Sequence, residues 1–258
     1  MTAVGKREAI VPREVVDRLL AASAGLVLVG GQALKVWMDR YEVTLPPRIA
    51  YVSRDVDFLA ASASDAASVR RLASALGGRT VFPRRRAALT ALVGQAVKDL
   101  SEEEVFNVDV LHRVFGADDG VRSRAVEVRL AKVTFRVMHP LDVLKSRVDN
   151  LAGLREKQNE LGEAQLRAAI LVARAFQREA AASESARRTR RPTTLRYAGF
   201  IEHLALGAAG RKLARRYGLH VADAIEPGTV PSRELLSAKL PRLAKLMSAE
   251  RRGELGLS

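Results

Sequence analysis

Ser53-Arg54-Asp55-Val56-Asp57-Phe58 is the stretch on which the reading of this chain turns. In an extended strand successive side chains point to opposite faces. Asp55 and Asp57 then share one face, about 6.6 Å apart along the chain, and Val56 and Phe58 point the other way into a core. Aspartate is a poor strand residue. Two carboxylates on one face repel each other unless a cation lies between them. Hard oxygen ligands suit Mg²⁺ or Mn²⁺, which are held by a few carboxylates together with substrate phosphates. Taken alone, the D-x-D spacing fits the half-exposed end of an ordinary strand as well.

Upstream, residues 26–29 read as a short buried strand, Gly30-Gly31 as a turn, and 32–41 as a helix with Ala33, Val36 and Trp37 on one face. Glycines let a backbone approach a phosphate, and a helix N-terminus presents free N–H groups to an anion. A tight strand-to-helix turn would use the same residues. Gly25 and Gly30 have the spacing that opens a P-loop, but Gly31-Gln32 stands where Lys-Ser/Thr is required. No G-x-G-x-x-G follows the strand, which excludes the dinucleotide fingerprint. Further upstream, Val15, Val16, Leu19 and Leu20 repeat at helical spacing.

Residues 49–59 contain the strand of the two acids; downstream, 64–76 reads as an Ala-rich helix stopped by Gly77-Gly78, and 79–82 and 88–97 as weaker strands. Residues 105–111 form a clear strand, with Val108 and Val110 on one face and Asn107, Asp109 and Leu111 on the other. A neighbouring position for this strand brings a third acid, Asp109, to Asp55 and Asp57. Residues 125–130 and 133–138 read as a hairpin or a pair of edge strands. From His139-Pro140 onward the pattern is helical. Leu141, Leu144, Val148, Leu151 and Leu154 make one apolar stripe, and 161–179 holds another. Residues 183–191 are a polar break containing Arg187, Arg188, Arg190 and Arg191, and 193–247 holds two or three more helices. The expected fold is α+β, a mixed β-sheet flanked by helices and followed by a helical C-terminal region. The expected divisions are a core over 1–138, a helical extension over 139–182 and a basic helical region over 183–258.

The composition narrows the function classes. The 258 residues include no cysteine, which excludes disulfides and thiolate zinc sites and makes a cytoplasmic location the default. The four histidines, His112, His139, His203 and His220, have no pair at ligand spacing, so a zinc hydrolase is not expected. The charged N-terminus lacks a signal-peptide core, and the longest apolar run, 24–29, is far short of the ~20 residues that span a bilayer. With 43 basic and 29 acidic residues the net charge is +14, a surplus that suits an acidic partner such as nucleic acid. An Arg-rich solvated surface accounts for the same surplus without any partner.

Together, Val29-Gly30-Gly31-Gln32-Ala33, Ser53-Arg54-Asp55-Val56-Asp57-Phe58 and Val108-Asp109-Val110 resemble the nucleotidyltransferase superfold of the polymerase-β type. Within it the chain is similar to bacterial stand-alone nucleotidyltransferase-like proteins, including the AbiEii-type toxins of toxin–antitoxin systems. The runs from Val27 to Trp37 and from Ser53 to Leu59 carry that likeness, with the run from His139 to Leu151. The resemblance covers roughly residues 20–180. It implies a nucleotidyltransferase-type fold in which Asp55, Asp57 and Asp109 hold two Mg²⁺ or Mn²⁺ ions and Gly30 and Gly31 hold the β- and γ-phosphates of a nucleoside triphosphate. It also implies phosphate contacts from Lys145 and Ser53, and from Arg147 as a weaker candidate. The implied reaction moves a nucleoside monophosphate to a hydroxyl of an RNA such as tRNA, or of a protein. RNA would meet the basic C-terminal helices, at Arg187, Arg188, Arg190, Arg191, Arg211, Lys212, Arg215 and Arg216. A separate antitoxin is an implied partner. The alternative is a catalytically inactive scaffold of the same fold that binds nucleic acid or a protein. Three departures stand out: the long separation of Gly31 from Asp55, Gln32 where a small or hydroxyl residue often follows the glycines, and Arg155, Lys157, Asn159 and Glu160 where toxin-like relatives often carry a Lys-Arg-Asp cluster.

Overall fold

A computed structural model describes residues 6–49, 52–83, 91–130, 132–185, 193–229 and 239–257. Arg187, Arg188, Arg190 and Arg191 lie outside the described residues. The chain divides into two units, Met1–Val36 with Ala50–Val143, and Trp37–Ile49 with Leu144–Ser258.

The first unit contains β1 (Arg7–Glu8), α1 (Arg13–Ala21), β2 (Val27–Val29), the start of α2 (Gly30–Arg40), β3 (Val56–Leu59), α3 (Ala66–Leu76), β4 (Arg79–Val81), β5 (Leu92–Asp99), β6 (Glu104–Leu111), α4 (Val121–Arg124), β7 (Val126–Leu130), β8 (Val133–Val137) and the start of α5 (Pro140–Gly153). Among the described residues the strands form one mixed eight-stranded sheet in the order β4-β5-β6-β3-β2-β8-β7, with β1 paired to β6. The β2–β8, β3–β6 and β1–β6 pairs are parallel, and the remainder are antiparallel.

Period-two alternation gives the sheet two unlike faces. Leu28, Phe58, Val110 and Gly94 stand in register across β2, β3, β6 and β5. That row faces α3, because a Cβ on Gly94 would meet Val69 of α3 at 3.1 Å. Leu28, Phe58, Val56, Val108 and Val110 are fully buried there. α3 is delimited as its sequence dictates. Asp65 accepts from the Ser68 N–H at 3.1 Å at the start, and Gly77 closes the end at φ 67°, where a side chain would be strained. Phe58 sits on a strand paired on both edges, so Phe58→Ala is expected to cost about 3–5 kcal/mol, read as a shift in the urea midpoint.

The second unit is helical. It holds the rest of α2 and α5, then α6 (Glu160–Ser185), α7 (Thr193–Leu206), α8 (Ala208–Tyr217), α9 (Leu240–Ala244) and α10 (Ala249–Glu254). α6 buries Leu166, Ala169, Val172 and Ala173. Polar side chains in its later turns tie down the backbone at Asp223 and Ala224. Gln177 is buried and donates to the carbonyls of Ala173 and Ala224, and Arg174 donates to the Asp223 carbonyl at 2.9 Å. Arg251 of α10 is buried, donates to the Ile225 carbonyl at 2.9 Å and pairs with Glu254 at 2.7 Å.

Four sequence expectations need correction. The strand within 49–59 is Val56–Leu59, so Asp55, expected on it beside Asp57, lies in the bend before it. The chain bends just before Val56, where the Arg54 carbonyl accepts from the Val11 N–H at 3.3 Å. Gly30 and Gly31 are the first residues of α2 and not a separate turn. α6 runs through Ser185, past the expected break at 183. Leu154 lies beyond the end of α5.

Candidate functional site

On the sheet face away from α3, Val29, Asp57, Asp109 and Gln95 stand in register across β2, β3, β6 and β5. Register partners project to the same side, and neighbouring strands run about 4.8 Å apart, so the Asp57 and Asp109 carboxylates rise side by side. Such a pair repels itself, and nothing in strand formation calls for it.

The two glycines exist because of what packs on them. A Cβ on Gly30 would lie 1.9 Å from Oδ2 and 2.8 Å from Cγ of Asp57, and Gly30 adopts φ 65°. A Cβ on Gly31 would lie 2.3 Å from Cβ and 2.5 Å from Oγ of Ser53. The bare backbone at the start of α2 thus lets the Asp57 carboxylate and the Ser53 side chain press against the first turn, where partial positive charge favours an anion. Ser53 in turn donates its hydroxyl to Oδ1 of Asp55. Asp55 itself is half-buried in the bend just before β3.

Asp109 is held from the strand side. Gln95 Nε2 donates to its Oδ1 at 2.8 Å and Asn107 Nδ2 donates to the same oxygen at 2.9 Å. Burial pushes the Asp109 carboxyl above its ordinary value of 3.8; the two amide donors oppose that shift and the charge of Asp55 adds to it. A carboxyl that holds its proton more tightly folded than unfolded costs stability when ionised. The cost is full above the folded value and is relieved as the pH falls from there into the ordinary aspartate range. Asp109→Asn keeps the amide contacts and removes the charge, so it is expected to raise the melting temperature at pH 7 and to lose that advantage in acid, checked by calorimetry at both pH values.

Sequence reasoning singles out Asp55, Asp57 and Asp109, and the structure puts them in one neighbourhood: two in register and the third close enough to disfavour ionisation of Asp109. Among the described residues, however, no three His, Cys, Asp or Glu side chains are gathered as a ready metal-ligand set. Lys145 belongs to the second unit, where it is half-buried and pairs with Asp149 at 2.7 Å. Arg147 is buried in the same unit and donates to Gln165 at 3.0 Å. Sequence reasoning misses Gln95 and Glu8. The i−2 spacing of Asn107 from Asp109 gives its face correctly but not its place in the site. Its amide joins Asp109 to Glu8, whose Oε1 accepts from Nδ2 at 3.1 Å.

No protein-family model matches this chain, and no curated protein matches it. Among the described residues no helix is long and apolar enough to cross a membrane.

Proposed function

We propose that the chain is a metal-dependent nucleotidyltransferase of the polymerase-β type of fold, moving a nucleoside monophosphate from a nucleoside triphosphate to a hydroxyl acceptor. The observation that carries this reading is the in-register pair Asp57–Asp109 with the Asp57 carboxylate pressed against Gly30. The donor set suits a hard divalent cation. Mg²⁺ is held by one or two carboxylates, with water and substrate phosphate supplying the rest, so Asp57 and Asp109 suffice for one ion and Asp55 for a share in a second. When bound, Mg²⁺ or Mn²⁺ supplies charge to offset that of the triphosphate and of the leaving pyrophosphate.

The chain's own residues have distinct tasks in this reading. Asp55, Asp57 and Asp109 are the ligands. The first N–H groups of α2, at Gly30 and Gly31, meet phosphate oxygens. Asp109, whose carboxylate Gln95 and Asn107 hold from the strand side, is the candidate to take the proton of the acceptor hydroxyl. Ser53 orients Asp55. Reactions of this class depend on positioning and charge, with little covalent work for the protein.

RNA such as tRNA is the favoured acceptor. α8 exposes Arg211, Arg215 and Arg216, and among the described residues none of them pairs with a carboxylate. Like charges four apart, as at Arg211 and Arg215, weaken a helix slightly, so such a surface is better explained by a polyanion than by stability. A role as the toxin of a toxin–antitoxin pair, acting in the cytoplasm, gives this chemistry a biological setting.

The rival reading is an inactive scaffold of the same fold that binds nucleic acid or a protein. Titration calorimetry of each nucleoside triphosphate, with and without Mg²⁺, separates the two. The enzyme reading requires binding that needs the metal and disappears in the Asp55→Ala/Asp57→Ala variant. Metal-independent binding, or none, leaves the scaffold.

A further inference from the structure

We infer that Gln95, Asn107 and Glu8 form a chain of positioning residues that holds the Asp109 carboxylate in one orientation toward a divalent cation. The inference rests on the metal-site reading above.

The amides are buried, Gln95 at 5% and Asn107 at 3% exposure. Each primary amide has two N–H donors. Gln95 spends its pair on Asp109 Oδ1 at 2.8 Å and Asn107 Oδ1 at 3.3 Å. Asn107 spends its pair on Asp109 Oδ1 at 2.9 Å and Glu8 Oε1 at 3.1 Å. The direction of every bond in the chain is therefore determined. A carboxylate only accepts, so Glu8 at one end and Asp109 at the other oblige Asn107 to turn its Nδ2, and not its carbonyl oxygen, toward both. Gln95 then donates to the Asn107 carbonyl as well as to Asp109. Both amides converge on a single oxygen of Asp109, which fixes the rotation of that carboxylate.

A sheet needs none of this for stability. β-branched side chains at positions 95, 107 and 109 would pack the same face without a buried charge. β1 serves the same purpose. It is only two residues long, and its pairing with β6, Glu8 opposite Val105, sets Glu8 beside Asn107. Residues that orient a metal-binding group typically cost about 10–100-fold in metal affinity when lost.

The test is Mn²⁺ affinity of the full chain, read by water-proton relaxation without nucleotide, with metal-free melting temperatures recorded alongside. Asn107→Leu and Gln95→Met are expected to weaken Mn²⁺ binding about tenfold or more. Glu8→Gln, which removes no buried volume, is expected to weaken it by less. Glu8→Gln added to Asn107→Leu is expected to weaken it no further, because the inferred route from Glu8 to Asp109 runs through Asn107. Wild-type affinity in Glu8→Gln and in whichever buried variants fold overturns the inference and leaves the metal site standing. Additive losses in the double variant overturn it too. A wild-type chain that binds no Mn²⁺ overturns both the inference and the reading beneath it.

Discussion

Gly30→Ala is expected to destabilise the fold by about 2–5 kcal/mol and to abolish metal-dependent nucleotide binding. Two independent costs add. At φ 65° an L side chain meets the following carbonyl, worth about 1–2 kcal/mol, and the new methyl would also sit 1.9 Å from Oδ2 of Asp57. Asp57 cannot retreat along the sheet, because its backbone is pinned between Val29 of β2 and Asp109 of β6. Its carboxylate must swing away, and with it goes the proposed ligand. Gly31→Ala offers a contrast. Gly31 has no left-handed φ, and its methyl would collide with Cβ and Oγ of Ser53. Removing that side chain should give the methyl room, so Gly31→Ala/Ser53→Gly is expected to recover most of the stability lost by Gly31→Ala. Gly30→Ala/Asp57→Gly should recover only part, since the backbone strain remains. Chemical denaturation of the four variants reads both comparisons.

Asp57→Asn is expected to have the largest effect on function with little effect on the fold. Loss of a central charge in such a site costs about 10³-fold in turnover, equivalent to about 4 kcal/mol. Stability should change little, because the substitution relieves repulsion from Asp109 directly across the β3–β6 pair while giving up a charge favourably placed at the start of α2. That combination separates a functional carboxylate from a structural one: removal of a structural acid destabilises, whereas removal of an acid kept for chemistry is neutral or favourable to the fold. Transfer assays and thermal melts on the same preparation make the distinction.

Much of the fold is legible in the sequence for identifiable reasons. Val15, Val16, Leu19 and Leu20 predict α1 because helical spacing is unambiguous when four apolar residues hold one face, and all four are buried. Val108 and Val110 against Asn107 and Asp109 give the two faces of β6 correctly, because a half-buried strand alternates with period two. The D-x-D acids and the two glycines stand out as residues disfavoured by their local context. The illegible part depends on pairing. That Asp57 and Asp109 meet in register is a property of the β3–β6 ladder, about which neither strand carries information alone. β1 is too short to have any periodicity. Asp55 lies in a bend just before β3 instead of at the strand position that alternation predicts. Gln95 sits among apolar residues of β5, and only its cross-strand partner, Asp109, explains why a polar side chain is buried there.

The most direct measurement is incubation of the purified chain with each α-³²P-labelled nucleoside triphosphate, Mg²⁺ or Mn²⁺ and total tRNA, beside the Asp57→Asn variant and a chelator control. The predicted result is label transferred to RNA, or to protein, by the wild-type chain with one preferred nucleotide, and lost in both controls. No transfer to any acceptor, together with no metal-dependent binding of any nucleoside triphosphate, would contradict a nucleotidyltransferase.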